Sequence, residues 1–287
     1  MATLFKSVLP AELLSACRPR IDAAYKEVEP IPGGVPTRLP QNLPPGEKFI
    51  PTASSFTIGA ILNSDLQTIN RAILASPAGE WLRNQLGEQI VCNLDHSWIR
   101  RQYAPHRYPR FHAPHAWHQD GALGFDFLSH PDGNYPADAL LQMATCWIAL
   151  DPCGLTAPGL ELIVLPTRTA NDGMCNKGLL SPRLSSRGGE GETTVARERP
   201  LSLLPPSDLT DTRIGARFPS DHFWQPTLEP GDALLFSGDI LHRTHVTPAM
   251  THDRTSLELR FFLANDFPAR LKNSRLLPLQ QDRHAKS

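Results

Sequence analysis

Apolar residues recur at helical spacing in the first third of the chain and at strand spacing over much of the rest. Over 9–27, Leu9, Leu13, Leu14, Cys17, Ile21 and Ala24 fall close to one stripe. That spacing predicts an amphipathic helix, and Pro19 inside it predicts a kink or a break into two pieces. A second helix is predicted over about 64–74 on Leu66, Ile69, Ile73 and Leu74. A third follows Ser76, which suits an N-cap, with Pro77 at the first helical position and Gly87 as the stop. Residues 29–56 lose periodicity and carry Pro30, Pro32, Pro36, Pro40, Pro44, Pro45 and Pro51 among several glycines. They predict an irregular connection, either a lid or a strap across the surface.

From Gln89 the texture becomes that of strands. Segments 90–94 and 97–103 lead through a Pro/His/Arg-rich loop over 104–115. Residues 140–150 predict a mostly apolar strand in which Met143, Thr145 and Trp147 share one face and Gln142, Cys146 and Ile148 the other. Another strand is predicted over 160–166. Residues 168–227 are rich in Gly, Ser, Pro and charge, with little periodicity beyond 201–204. A loop of that length inside a compact domain usually carries function or lacks order. Its arginines read as solvated charge. Strands resume over 232–242 and 254–264, and a basic tail without clear pattern follows. There is no internal repeat. The fold class predicted is mainly β with flanking helices, built on a double-sheet jelly-roll (double-stranded β-helix, cupin-type) core. One domain over 1–287 accommodates all of it: a mostly helical flank (1–88), a core (89–167 and 228–265) and an inserted loop (168–227) that is a candidate lid.

Composition narrows the function classes. The net charge of −1 offers no basic field for nucleic acid. The 28 prolines, roughly twice the usual share, favour turns and short strands over long helices. Five scattered cysteines without a C-x-x-C pair argue against a disulfide framework or a structural zinc site, and fit reduced thiols in a cytoplasmic protein. No apolar run approaches a membrane span, and the first residues do not read as a signal peptide.

The candidate chemistry lies in Trp117-His118-Gln119-Asp120-Gly121. On an extended strand His118 and Asp120, two apart, face the same side. An imidazole and a carboxylate side by side make two thirds of a 2-His-1-carboxylate site, which leaves positions open on a non-haem Fe(II). The second histidine is expected at the end of another strand. Pro230-Gly231-Asp232 feeds the apolar run that ends at His242, and His242 is that candidate. His245 is its rival; three residues apart on a strand, the two face opposite sides. His112 and His115 read as loop or rim residues. Arg254 opens the next apolar run and could clamp a dicarboxylate through two parallel hydrogen bonds, with Arg260 as competitor on the same face. Phe111, Trp117, Phe125 and Phe127 surround the motif, as an apolar wall for substrate or as ordinary packing.

These residues carry a resemblance. Trp117-His118-Gln119-Asp120, Trp147-Ile-Ala-Leu and the Gly-Asp … Leu-His-Arg segment resemble the phytanoyl-CoA hydroxylase family of Fe(II)/2-oxoglutarate-dependent dioxygenases, over roughly 98–263. The resemblance implies His118, Asp120 and His242 as iron ligands. It also implies Arg254 with Ser256 at the distal carboxylate of 2-oxoglutarate, and Thr145 and Trp147 lining the cosubstrate pocket; Trp147 reads equally as core. Gln102 is a further candidate contact to the oxoacid. The implied reaction uses O2 and 2-oxoglutarate, releases succinate and CO2, and oxidises an unactivated C–H of a small organic molecule. Because Asp120 is a carboxylate, hydroxylation, desaturation or oxidative cyclisation is implied, not halogenation. The competing class is a non-enzymatic or oxoacid-independent cupin-type binding protein, which has no need of Arg254.

Overall fold

A computed structural model describes residues 1–28, 40, 42–107, 114–123, 140–164, 193–195, 204, 209–268 and 271–279. Phe111, His112, Phe125, Phe127, most of 29–41 and of 168–208, and the tail from 280 lie outside the described residues. The strands are β1 (Ala2–Phe5), β2 (Phe49–Ile50), β3 (Ser55–Thr57), β4 (Ile90–Asn93), β5 (Trp98–Gln102), β6 (His118–Gln119), β7 (Met143–Ala149), β8 (Gly159–Ile163), β9 (Thr193–Val195), β10 (Phe223–Trp224), β11 (Ala233–Ser237), β12 (Leu241–His245), β13 (Arg254–Leu263) and β14 (Leu276–Pro278). The helices are α1 (Ala11–Val28), α2 (Gly59–Leu62), α3 (Leu66–Ala75), α4 (Pro77–Leu86) and α5 (Asp211–Arg217).

Two antiparallel sheets face each other in a jelly roll. The larger runs β2-β3-β5-β13-β7-β11-β1-β9, with β4 against β13 and β14 against β4. The smaller runs β10-β8-β12-β6. At the centre of the large sheet, β13 pairs with β5, β7 and β4. Its alternation explains the architecture. Leu257, Leu259 and Phe261 pack with Cys146, Ile148, Leu235 and Ile99 against Ile21 and Tyr25 of α1, Ile69 and Ile73 of α3, and Leu82 of α4. Each such buried Leu, Ile or Phe contributes on the order of 1.5–3 kcal/mol by leaving water. Arg254, Ser256, Glu258 and Arg260 alternate with these residues and belong to the opposite face, toward the small sheet. The thiols of Cys92 and Cys146 sit in the apolar layer, and burial pushes Cys92 up to about 11.

The helix signals hold. Ser76 accepts from the amide of Ala78, Pro77 follows it, and Gly87 ends α4 with φ +86°. α1 is not divided at Pro19. Ser15 and Pro19 are both exposed, so water can take the carbonyl that the missing N–H leaves free. Other boundaries differ from the pattern. β1 was not foreseen: its four residues give no period to count, yet they pair with β11. The end of the irregular 29–56 stretch joins the edge of the large sheet as β2 and β3. The strand predicted over 140–150 begins at Met143, because Leu141 bonds instead to Gly121. Within 168–227, β9, α5 and β10 are regular, and Thr210 caps α5 by accepting from the amide of Arg213.

The run predicted as one strand over 232–242 is two. A turn at 238–240 passes the chain from the large sheet to the small one, closed by Ile240 N–H on the carbonyl of Ser237. It is seated by Gly121, whose amide donates to the carbonyl of Gly238 at 2.6 Å. A Cβ on Gly121 would stand 2.7 Å from that oxygen, and one on Gly238 would stand 3.0 Å from the Cα of Gly121. Two backbones meet where only glycine fits. Gly121→Ala is therefore expected to lower stability by about 1–3 kcal/mol through forced displacement of the turn, read as an earlier midpoint in urea unfolding. A midpoint equal to that of the wild type would show that the turn yields freely.

Candidate metal centre

The turn at Gly238 brings β12 beside β6, with His242 directly opposite His118. On β12, His242 and Thr244 line the central hollow, whereas Leu241 packs with Trp117, Ile163, Ile214 and Phe218 beyond the small sheet. His245, three residues on from His242, is not among the residues that line the hollow. β6 is only two residues long because a 3-10 turn begins at Asp120. It is held by Gln119, which donates to the carbonyl of Asp239 and accepts from the amide of Leu204. Trp117 is buried in the cluster beyond the small sheet, and its indole N–H donates to Asp211 of α5.

His118, Asp120 and His242 offer one ligand atom each, all within 4.8 Å of one another. The Nδ1 of His118 lies 2.7 Å from the carbonyl of Ala116, and that of His242 lies 3.0 Å from the carbonyl of Ile240. A carbonyl only accepts, so each Nδ1 carries a proton, and in the neutral tautomer that this contact selects Nε2 keeps its lone pair. Both Nε2 atoms sit near Asp120, at 3.8 and 3.9 Å from its oxygens. This donor set has the composition of a facial 2-His-1-carboxylate centre.

Asp120 is held from two sides. Thr145 donates to one oxygen at 2.5 Å and Arg260 donates to the other at 2.9 Å. Burial opposes ionisation of the carboxyl, but Arg260 and the two imidazoles outweigh it and hold Asp120 well below the usual range. Burial, then His242 and His115, hold His118 well below the ordinary imidazole value. A charged carboxylate beside an imidazole, His118, that resists protonation suits a divalent cation.

The structure separates the two arginines that the sequence left in competition. Arg260 spends its terminal nitrogens on Asp120 and on the carbonyl of His96. Arg254 is fully buried, lies over the Trp147 ring at 4.8 Å, and donates to Ser256 and to the carbonyl of Pro158. Its remaining Nη2 is buried without a partner. Trp147 and Thr145 line the hollow; Arg254, Ser256 and Gln102 do not. Gln102 stands opposite Arg254 in the β5–β13 register, and its amide donates to the carbonyl of Tyr103. Sequence reading missed Arg100, Glu258 and Thr244, which also line the hollow. The alternation of 254–260 was the available signal for Glu258.

Arg260 orients the carboxylate through its bond to one oxygen. Arg260→Gln is expected to weaken divalent metal affinity by about 10- to 100-fold, as measured by competition with a chromophoric chelator; unchanged affinity would remove that role. A second expectation concerns pH. Burial and the Arg260 charge push His96 down to about 4, and His118 is also lowered. The unfolded chain therefore takes up these protons first. The stability that both groups contribute is present above the ordinary value near 6.5 and lost as pH falls through the folded values. The melting temperature of metal-free protein should be highest above pH 7 and fall between about 6.5 and 4. His96→Gln should flatten part of that fall, and a rise on acidification would contradict the sign.

No family model matches the chain, and no curated protein is similar to it in sequence. Solved structures are similar in fold. EctD from S. alaskensis with 2-oxoglutarate and 5-hydroxyectoine aligns at a TM-score of 0.52 and 12% identity, covering 92% of this chain and 72% of that one. EctD with bound Fe aligns at a TM-score of 0.51 and 14% identity, covering 92% and 73%. These matches show the fold that the chain shares with those proteins.

Proposed function

We propose that this chain is an Fe(II)- and 2-oxoglutarate-dependent dioxygenase that oxidises an unactivated C–H of a small organic molecule. One observation carries the reading: two imidazoles bonded to carbonyls through Nδ1 converge with a charged carboxylate on one hollow, and β13, which lines it with Glu258 and Arg260, buries behind it an arginine with an unused N–H. His118, Asp120 and His242 would hold the metal. Arg254 would take the distal carboxylate of the oxoacid, because a buried donor left unpaired is costly and a carboxylate supplies its partner. Trp147 holds its ring over the guanidinium at 4.8 Å, and Ser256 accepts one of its N–H groups. When bound, the metal and oxoacid supply dioxygen activation coupled to decarboxylation to succinate and CO2. The chain contributes orientation and exclusion of water; Phe236, Leu160 and Trp147 line the hollow beside the histidines. The fold shared with structures crystallised with iron or with 2-oxoglutarate supports this reading.

The test is anaerobic addition of Fe(II) and then 2-oxoglutarate, followed by the weak visible charge-transfer band of a chelated oxoacid. The band is expected in the wild type and absent in His118→Ala and His242→Ala. In Arg254→Ala the oxoacid should bind about 10- to 100-fold more weakly, the loss of a charge-assisted pair worth about 1.5–3 kcal/mol, with metal affinity unchanged. Metal binding without the band would point to an oxoacid-independent cupin or a binding protein.

A further inference from the structure

Three arginines and two carboxylates stand on the inner faces of β5 and β13 and on the turn after β6, and their pairing leaves one arginine open. Arg254 is committed to Ser256, Pro158 and the stacked Trp147. Arg260 is committed to Asp120 and His96. Arg100 donates its Nε to Glu258 at 2.8 Å, and its two terminal nitrogens donate to nothing among the described residues. Arg100 and Glu258 both line the hollow that holds His118, Asp120 and His242. Glu258 is itself buried, with Arg260 at 3.9 Å on its other oxygen.

We propose that Arg100, held in place by Glu258, is the substrate-recognition group of this site, and that it takes a carboxylate on the substrate. The inference rests on the dioxygenase reading for the word substrate; the anion site stands on geometry alone. Stability does not explain a charged wall here, since well-packed apolar residues replace buried ion pairs at little or no cost. Charge balance points the same way. Three arginines against Asp120 and Glu258 leave one positive charge. A divalent iron and a doubly charged oxoacid cancel each other, so the surplus persists in the loaded site. A monoanion removes it. Glu258 occupies Nε, which leaves the terminal edge of the guanidinium to form the two-pronged bond that a carboxylate fits. On the β5–β13 ladder Arg100 sits opposite Ser256, between Arg254 and Arg260, so an anion held there lies along the same wall as the metal ligands.

The experiment uses protein loaded with Zn(II) and 2-oxoglutarate, and a panel of three- to eight-carbon monocarboxylic acids, each with its primary amide. Binding is read as a thermal shift and then as a titrated affinity. At least one acid is expected to bind tenfold or more tightly than its amide. That preference should vanish in Arg100→Gln, persist in part in Arg100→Lys, and leave 2-oxoglutarate affinity within about twofold. If Arg100→Gln fails to fold, the Arg100→Met/Glu258→Gln pair, which leaves no buried charge unpaired, gives the same readout. Acids and amides binding alike, or acid binding that survives Arg100→Gln, overturns the proposal. So does a tenfold loss of 2-oxoglutarate in Arg100→Gln, which would make Arg100 the oxoacid anchor. If the wild type binds no 2-oxoglutarate yet acid preference still requires Arg100, the anion site holds and the oxygenase reading falls.

Discussion

The hydrogen bond from the Gly121 amide to the Gly238 carbonyl is the contact on which the site depends. It fastens the turn after Asp120 to the turn that carries the chain from one sheet to the other. With it in place His118 and His242 stand opposite each other on neighbouring strands, and Asp120 is swung between them. The two backbones come too close for any side chain, so glycine is required on both sides of the contact. The site is thus fixed by main chain before any side chain is chosen, as a preorganised centre requires.

Around that contact the large sheet divides two environments within one strand. The face of β13 toward the helices is hydrocarbon, and it anchors the strand. The opposite face carries Arg254, Ser256, Glu258 and Arg260, a run that would be ruinous in an apolar core. It persists because nearly every charge has a specific partner: Asp120 for Arg260, and Arg100 for Glu258. Donors on three arginines of this face have no acceptor among the described residues: the Nη2 of Arg254, the Nε of Arg260 and the terminal nitrogens of Arg100. Of these residues Arg100 and Arg260 line the hollow, and Arg260 is already bonded to Asp120.

Much of this was legible in the sequence, for identifiable reasons. His118 and Asp120 declare themselves because a period of two puts both on one face, and Ser76-Pro77 with Gly87 mark a helix because capping is local chemistry. The jelly-roll class followed from many short strands with turn residues between them. Two of the missed features depend on contacts distant in sequence or on too short a signal, and one does not. The passage between sheets at 238–240 is marked by Ser237-Gly238-Asp239, a local turn signal that interrupts the apolar run and that a one-strand reading of 232–242 passes over. The partnership of Arg260 with Asp120 spans 140 residues, and without it Arg260 looks like a rival to Arg254. β1 is too short to show a period at all.

The place of β13 in the sheet has a consequence for how the molecule is made. This strand fills the middle of the large sheet, between β5 and β7 and alongside β4, yet it leaves the ribosome well after all three. Until residue 263 emerges, the edges of β4, β5 and β7 that β13 will cover are unpaired, even where β3 and β11 already hold the other edge of β5 and β7. The nascent chain therefore passes through a long interval in which the open edges of β4 and β7, both buried strands in the finished fold, are available to other chains. Slow growth and ample chaperone act on that interval, and not on the stability of the finished protein.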